Sequence, residues 1–347
     1  MMRKSLPLRF HCIAVASILL ILPIIVPSYV LATEILIFGL AVIGCNLLLG
    51  YTGLLSFGQA LFFGSGAYLA GLMSTHFSVG LLQIFITTIF AGALIAVFVG
   101  YFAIHRIGIY FVMLTLAFAQ LGYYIAFLTE TLTGGEDGLL GIERPSLLIP
   151  FIYEFEFTND RSFYILTAVV FILVFLLMQR LVDSPFGSVL GAIKQNQVRA
   201  EAIGYQVKLY KIAVFAFSGA VTALAGALYA FMLKFAPLSN IDVETSEQIM
   251  FMTVLGGLGS LYGSLLGSAI FLLASDFFSA LWPRWMISLG LFLIIFMLYM
   301  PGGVSEAIQT LVTKLRGSHE NEKSNSDADD SRNKVADKTL WRFFSKF

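Results

Sequence analysis

The chain has 347 residues, of which 58% are hydrophobic and 12% are charged, with 21 basic and 21 acidic side chains. Soluble domains carry about 25% charged residues, so this composition excludes a soluble enzyme, a nucleic-acid-binding protein and a secreted disulfide scaffold. Because each helical crossing of a bilayer needs about 20 apolar residues, the sequence predicts an all-α fold, a polytopic transmembrane bundle of about 8–10 spans.

Long apolar runs follow one another along the chain. They are continuous, whereas the strands of a membrane barrel alternate between apolar and polar residues, so helices are predicted. The runs cover residues 12–31, 35–49, 54–73, 81–104, 109–128, 163–178, 212–233, 249–274 and 286–300.

The first run permits two interpretations. Basic residues precede its apolar core, and Val30-Leu31-Ala32 ends it in the manner of a cleavable signal peptide. The run is longer than a usual signal core and contains two prolines, which favours a retained span. In both cases the next helix starts outside.

Loop charges orient the spans, because Lys and Arg are retained in cytoplasmic loops. Residues 1–9, the turn at Arg106, the 182–211 loop and the segment after residue 300 are basic, whereas the 131–161 loop is mainly acidic. We therefore expect cytoplasmic termini, a cytoplasmic 182–211 loop and a periplasmic 131–161 loop. Residues 1–303 form the transmembrane domain, and the polar, charged residues 304–347 are expected to be a disordered cytoplasmic tail.

The run at 249–274 is predicted to be broken. A single crossing there would leave the basic tail on the wrong side, and five glycines between Gly256 and Gly267 weaken helix propagation. Two shorter helices, one entering the membrane and one returning to the same side, would place the basic tail on the cytoplasmic side. Such re-entrant backbone is tolerated at membrane depth only inside protein.

Catalytic and nucleotide-binding motifs are absent from the sequence. It contains no phosphate-binding loop, no His/Cys cluster with metal-ligand spacing and no nucleophile motif. We therefore expect no catalytic residue, no metal site and no cofactor, and any energy for transport must come from a partner.

Three segments are candidates for function. The 182–211 loop has a helical pattern at 189–202 that ends at Gly204, and it offers Lys194, Arg199, Glu201 and Ala202 to a cytoplasmic partner. The alternative interpretation is that this loop is a solvent-exposed connector that carries positive charge and binds no partner. The acidic turn Thr133–Gly138 is either a tight exit loop or, through Glu136 and Asp137, a docking surface for an extracytoplasmic partner.

The third segment combines glycine with polar groups. Residues 50–71 contain Ser56 and Gln59 among small residues, and the glycine-rich stretch around Gly257 echoes them. Paired interrupted helices are typical of a translocation site. The alternative is simple small-residue packing.

With these motifs the chain resembles the membrane permease subunits of ATP-binding-cassette (ABC) importers for branched-chain amino acids. The resemblance runs from about Ile35 to Gly303. It rests on motifs in family order: 46–60 with 64–71, Gly108-Ile109-Tyr110-Phe111, 115–120, 133–138, 199–205 and Gly256-Gly257-Leu258-Gly259-Ser260. The motifs at 115 and 133 resemble the paralogue with the longer outer loop.

This resemblance implies a set of partners. Two cytoplasmic ATPase subunits, a second paralogous permease and a periplasmic substrate-binding protein would complete an importer in the bacterial inner membrane. Residues 200–204 would be the helix that docks on an ATPase. The small-molecule amino acid would cross by alternating access, and the candidate pathway residues are Ser56, Gln59, Tyr110, Thr115, Gln120 and Gly257.

Two other functions stay open. One is transport of urea or short amides by the same kind of permease. The other is an ATP-independent secondary transporter or channel.

Overall fold

In the computed structural model, the described residues are 15, 17–19, 22, 23, 26, 28–77, 79–106, 108–145, 147–149, 153–155, 157, 159–307 and 310. The chain is a helical bundle, as predicted, and seven helices within these ranges are long and apolar enough to cross a membrane. The tail beyond residue 310 and most of the first apolar run lie outside the described residues.

The bundle includes twelve α-helices and one pair of short strands that the structure describes over their whole length. The helices are α1 Tyr29–Thr52, α2 Gln59–His76, α3 Leu81–Ala103, α4 Ile109–Leu128, α5 Glu130–Thr133, α6 Asp160–Val182, α7 Pro185–Gln195, α8 Gln197–Ala202, α9 Val207–Leu233, α10 Val243–Gly256, α11 Leu261–Leu281 and α12 Trp285–Tyr299. Strands β1 Leu147–Ile149 and β2 Tyr153–Phe155 pair antiparallel.

Helix α1 is the central helix and is buried along almost its whole length. The Ser28 side chain caps it by accepting a hydrogen bond from the Val30 amide. The helix begins at Tyr29 and runs without a break to Thr52, so the predicted interruption between residues 31 and 35 is wrong. Helices α6, α9, α10 and α11 all contact α1.

Helix α9 packs through a stripe of small residues. Gly219 lies against Gly92 of α3, Ala223 against Gly66 of α2, and Gly226 against the Phe63 carbonyl of α2. A side chain at Gly226 would collide with that backbone. Close approach of helices through small residues replaces the hydrophobic drive that is absent in lipid.

The chain between α1 and α2 is not helical. The sequence predicts one span over 54–73, but α2 begins only at Gln59, and residues 53–58 form a non-helical segment. Gly53 starts this segment in a left-handed conformation. At its far end, Gln59 contacts residues 218 and 222, which are 11 and 15 positions into α9. The segment therefore leads from one end of the bundle into its interior.

The second interruption lies between α10 and α11, as predicted. Gly257 has a φ of 101°, which a residue with a side chain rarely adopts, and the chain reverses there. Gly256 packs on Gly263 and Met252 on Gly267, so the two helices run antiparallel. Helix α10 has 14 residues, whereas α11 has 21 and is long enough to cross the membrane, so the prediction of two shorter helices is wrong for α11.

A buried amide from α1 closes this second break. Asn46 is fully buried. Its Nδ2 donates to the Ser260 carbonyl over 2.9 Å and to Ser264 Oγ over 3.2 Å, and its Oδ1 accepts from the Gly259 amide over 2.9 Å. These bonds pair backbone groups that would otherwise stay unsatisfied inside the bundle.

The 182–211 loop folds as two helices rather than the single one predicted at 189–202. Pro185 occupies the first turn of α7, and Asn196 interrupts the run because its Oδ1 accepts from the Arg199 amide and caps α8. Val189, Ile193, Ala200 and Val207 form a small core. Gly204, with a φ of 101°, follows the end of α8, where the sequence places a left-handed cap.

The opposite end of the bundle carries the 131–161 loop. Leu139 and Ala236 exchange two backbone hydrogen bonds. Arg144, whose side chain is 9% exposed, donates to Asp160 and to the carbonyls of Phe231 and Met232 at the end of α9. These contacts tie the loop to the helices beneath it.

The Asn46 contacts predict a specific loss of stability. Replacing Asn46 by Leu leaves a buried amide and a buried carbonyl unpaired and should lower the free energy of unfolding by about 3 kcal/mol. The measurement is SDS unfolding in mixed micelles. The matched control Ser264→Ala removes one of the three bonds and should cost about 1 kcal/mol. Equal stabilities of the two variants would contradict the assignment.

Candidate functional site

Three of the predicted pathway residues meet at the start of α2. Ser56 Oγ accepts from the Gly58 amide, and Thr115 Oγ1 on α4 accepts from the Phe57 amide, both over 3.2 Å. Ser246 of α10 accepts from the Ala60 amide and donates to the Phe57 carbonyl, both over 2.8 Å. Side chains from α4 and α10 thus hold the non-helical segment.

Gln59 extends this group to α9. Its side chain is fully buried, and its Nε2 donates to Ser218 Oγ over 3.2 Å while its Oε1 accepts from Thr222 Oγ1 over 2.9 Å. We call Ser56, Gln59, Thr115, Ser218, Thr222 and Ser246 the interior cluster.

The interior cluster has a defined physical role. The first amides of a helix have no partner within it, and at membrane depth water does not supply one. Side chains of α4 and α10 therefore hold the start of α2 in this conformation. The positive end of the α2 dipole also points at the cluster.

The other predicted pathway residues lie elsewhere. Tyr110 is 70% exposed on α4. Gln120 is half-buried on the same helix and takes no part in the cluster's hydrogen bonds. Gly257 sits at the α10–α11 turn beside Ser305.

A cavity of about 540 Å³ opens beside the interior cluster. Its walls come from residues 52–55, the start of α4 and the 182–211 loop, and they include Arg106, Gln197 and Lys211. Leu55 of the wall precedes Ser56, and Phe111 and Val112 lie one helical turn before Thr115. The cavity therefore reaches from the end of the bundle toward the cluster.

The 182–211 loop presents an apolar surface at this end. Val198 is 75% exposed and Ile203 is 71% exposed, with Tyr205 and Leu209 also exposed nearby. The predicted contact residues Arg199, Glu201, Ala202 and Gly204 are exposed on and after the same helix. Val189 and Ile193 instead point into the loop's own core. Exposed apolar residues rimmed by charge are typical of a surface that a partner covers.

Lys194 joins the loop to α1. Its Nζ donates to the Gly50 carbonyl over 2.6 Å, at the C-terminal end of α1 where a cation is favoured. Gly50 lies one turn after Asn46 and packs against the Gly259 amide. The loop is therefore connected through the end of α1 to the α10–α11 break.

The acidic turn at the opposite end is exposed and fixed in place. Glu136 and Asp137 are exposed in a short 3-10 turn. Thr133 Oγ1 accepts from the Gly135 amide on one side of this turn, and Leu139 pairs with Ala236 on the other. Among the described residues, no group of three or more His, Cys, Asp or Glu side chains lies together in a way that could hold a metal ion.

Sequence reasoning did not find several members of this arrangement. Asn46, Ser218, Thr222 and Ser246 were not singled out, although the first three are polar residues in apolar runs. Ser218 and Thr222 are four residues apart, which places them on one face of α9. That spacing was the available signal.

Comparisons with known proteins agree with this architecture. The family model described as branched-chain amino acid transport system / permease component matches residues 29–300. The high-affinity branched-chain amino acid transport system permease protein LivM of Escherichia coli K12 is 24% identical over 299 residues, which cover 79% of this chain and 69% of that protein.

A second relative comes from a different organism. The probable branched-chain amino acid transport permease protein LivM of Methanocaldococcus jannaschii is 27% identical over 305 residues, which cover 75% of this chain and 87% of that protein. No solved structure matches the chain.

Proposed function

Because this chain belongs to the family of branched-chain amino acid transport permease components, we propose that it carries branched-chain amino acids across the bacterial inner membrane as the permease subunit of an ABC importer. The observation that carries the proposal is the connection from the exposed helix α8, through α7 and its Lys194–Gly50 bond, along α1 to the Asn46 bonds at the α10–α11 break. A channel that works without a partner does not require a mechanical connection between a surface helix and its interior.

The partners are two ATPase subunits, a paralogous permease and a periplasmic binding protein. The ATPases dock on α8 from the cytoplasm, and the binding protein docks on the 131–161 loop. Charge supports this orientation, because Arg106, Lys194 and Lys211 lie at the α8 end while the acidic turn lies at the other. Residues 303 and 305 pack on Gly257, near the same end as α8, which supports a cytoplasmic C-terminus.

We propose that these contacts produce alternating access. Closure of the ATPases on ATP pushes α8, and the small core of the 182–211 loop moves α7 with it. Lys194 transmits that shift to the end of α1, and Asn46 carries it to the α10–α11 break. Both breaks are positions where a helix can change direction without stretching a continuous hydrogen-bond ladder.

The interior cluster is the proposed substrate contact. In the observed conformation Thr115 and Ser56 accept from the Phe57 and Gly58 amides, and Gln59 bonds to Ser218, so a zwitterion binds there only after the 53–58 segment shifts. The freed amides at the start of α2 then face the carboxylate, and the apolar walls take the aliphatic side chain.

Copurification and uptake test the proposal together. The tagged chain, expressed with its partner genes, should bring down two ATPase chains, and the complex in proteoliposomes should accumulate leucine only with ATP inside and binding protein outside. Uptake by the chain alone under an ion gradient would overturn the proposal. Uptake of urea in place of leucine would reassign the solute.

Loss of the Lys194 bond should uncouple the importer. In Lys194→Met the push on α8 no longer reaches α1, so the leucine carried per ATP hydrolysed should fall about tenfold, the scale of one charge-assisted hydrogen bond. Glu201→Lys, on the docking helix, should also uncouple hydrolysis from uptake. The exposed Lys208→Met is the matched control and should behave as wild type. A normal ratio in both test variants would remove the coupling assignment.

The acidic turn should set the affinity for the binding protein. Replacing Glu136 and Asp137 together by Lys should raise the concentration of binding protein needed for half-maximal uptake about tenfold at low salt, and less at high salt. Glu143→Lys, an exposed acidic residue in the same loop, is the control. An unchanged concentration dependence would move the docking surface elsewhere.

A further inference from the structure

The cavity beside the interior cluster is basic. Lys211 and Arg106 both line it, and its lining residues include no Asp or Glu. Lys211 is only 5% exposed, yet its side chain reaches the cavity wall. A buried cation is stable only with compensating partners, and this one has a single neutral hydrogen-bond acceptor, the Gln197 Oε1 at 2.7 Å.

The nearest carboxylate is held outside the cavity. Gln197 Nε2 donates to Glu201 Oε1 over 2.9 Å, and Glu201 is exposed on α8 and does not line the cavity. Gln197 therefore stands between the two charges, with one end of its amide on the lysine and the other on the glutamate. An ammonium offers three donors, so Lys211 retains capacity for an anion within the cavity.

The cavity also lies on the way out of the interior cluster. It shares the chain at Leu55–Ser56 with the cluster, and Thr115 is one turn beyond its wall residues Phe111 and Val112. At about 540 Å³ it is within the size range of small-molecule sites. A molecule released from the cluster toward the α8 end enters a cavity that is lined by two cationic side chains, Arg106 and Lys211.

We infer that this cavity is a cytoplasmic-side site for the carboxylate of the transported amino acid, held by Lys211 and Arg106. The inference rests on the proposed function, since it takes the substrate to be an amino acid and the α8 end to face the cytoplasm. Gln197 belongs both to the cavity and to the α8 contacts. A molecule retained in the site therefore resists the movement of α8, and accumulated substrate slows its own import.

The proposed carboxylate site is tested by measuring whether leucine inside proteoliposomes inhibits leucine uptake. The complete importer is reconstituted in proteoliposomes that contain ATP and increasing concentrations of leucine, and the initial rate of labelled leucine uptake is measured. Internal leucine should inhibit the wild-type importer. Internal leucinamide, which lacks the carboxylate, should not. Equal inhibition by the two compounds, or none by leucine, would overturn the inference.

Substitutions of Lys211 and Arg106 test whether these two cations bind the carboxylate. Lys211→Met should raise the inhibitory concentration of leucine about tenfold, as expected for a lost charge-assisted bond, and Lys211→Arg should preserve inhibition. Arg106→Gln, at an exposed position, should weaken inhibition even if Lys211→Met fails to assemble. Lys208→Gln, exposed on the first turn of α9 and outside the cavity lining, is the matched control.

The uptake assay distinguishes failure of the proposed function from failure of the inference about the cavity. If the proposed function is wrong, no ATP-dependent leucine uptake occurs at zero internal leucine. If only this inference is wrong, that uptake is normal and the Lys211 and Arg106 variants show the same inhibition as wild type.

Discussion

Interrupted helices inside a membrane need hydrogen-bond partners for the backbone groups that each break exposes, and this requirement organises the bundle. Water is absent at that depth, and an unpaired amide or carbonyl costs several kcal/mol. Here the partners are side chains from other helices: Thr115 and Ser246 at the start of α2, and Asn46 at the α10–α11 turn. Each break is therefore also a junction between helices distant in sequence.

The two junctions are joined to the surface by the central helix. Helix α1 carries Asn46 in its interior and accepts the Lys194 bond at its end, so the loop that holds α8 is fixed to the same helix that closes the second break. The first break begins at Gly53, directly after that helix. Under the proposed function, work applied at α8 would reach the α10–α11 break through α1.

Much of the architecture could be predicted from the sequence, because hydropathy and glycine are local signals. The span at Ile109–Leu128, the break at Gly257 and the left-handed cap at Gly204 agree with the structure. Ser56 and Gln59 were also selected from such signals, and both are buried next to the start of α2. The start of α1 was not predicted, because the cap at Ser28 overrides the apolar pattern.

The partners of the polar groups could not be predicted, since they depend on packing. Asn46 lies 213 residues from Gly259, and a single sequence does not say that the two meet. The same holds for Gln59 with Thr222, 163 residues apart. Tyr110 was selected because it is a polar group on an apolar helix; it is 70% exposed and lies outside the interior cluster, and its role in the pathway stays a prediction.

The most direct measurement is of distances between spin labels in the complete importer, with and without ATP, in a chain that lacks its two native cysteines. One label replaces Val198 on α8, the second replaces Leu258 at the α10–α11 turn, and a third position at Tyr101 on α3 serves as reference. If the loop, α1 and the turn move together, nucleotide changes both distances to residue 101 and leaves the 198–258 distance constant. A 198–258 distance that changes while residue 258 stays fixed against residue 101 would contradict the account.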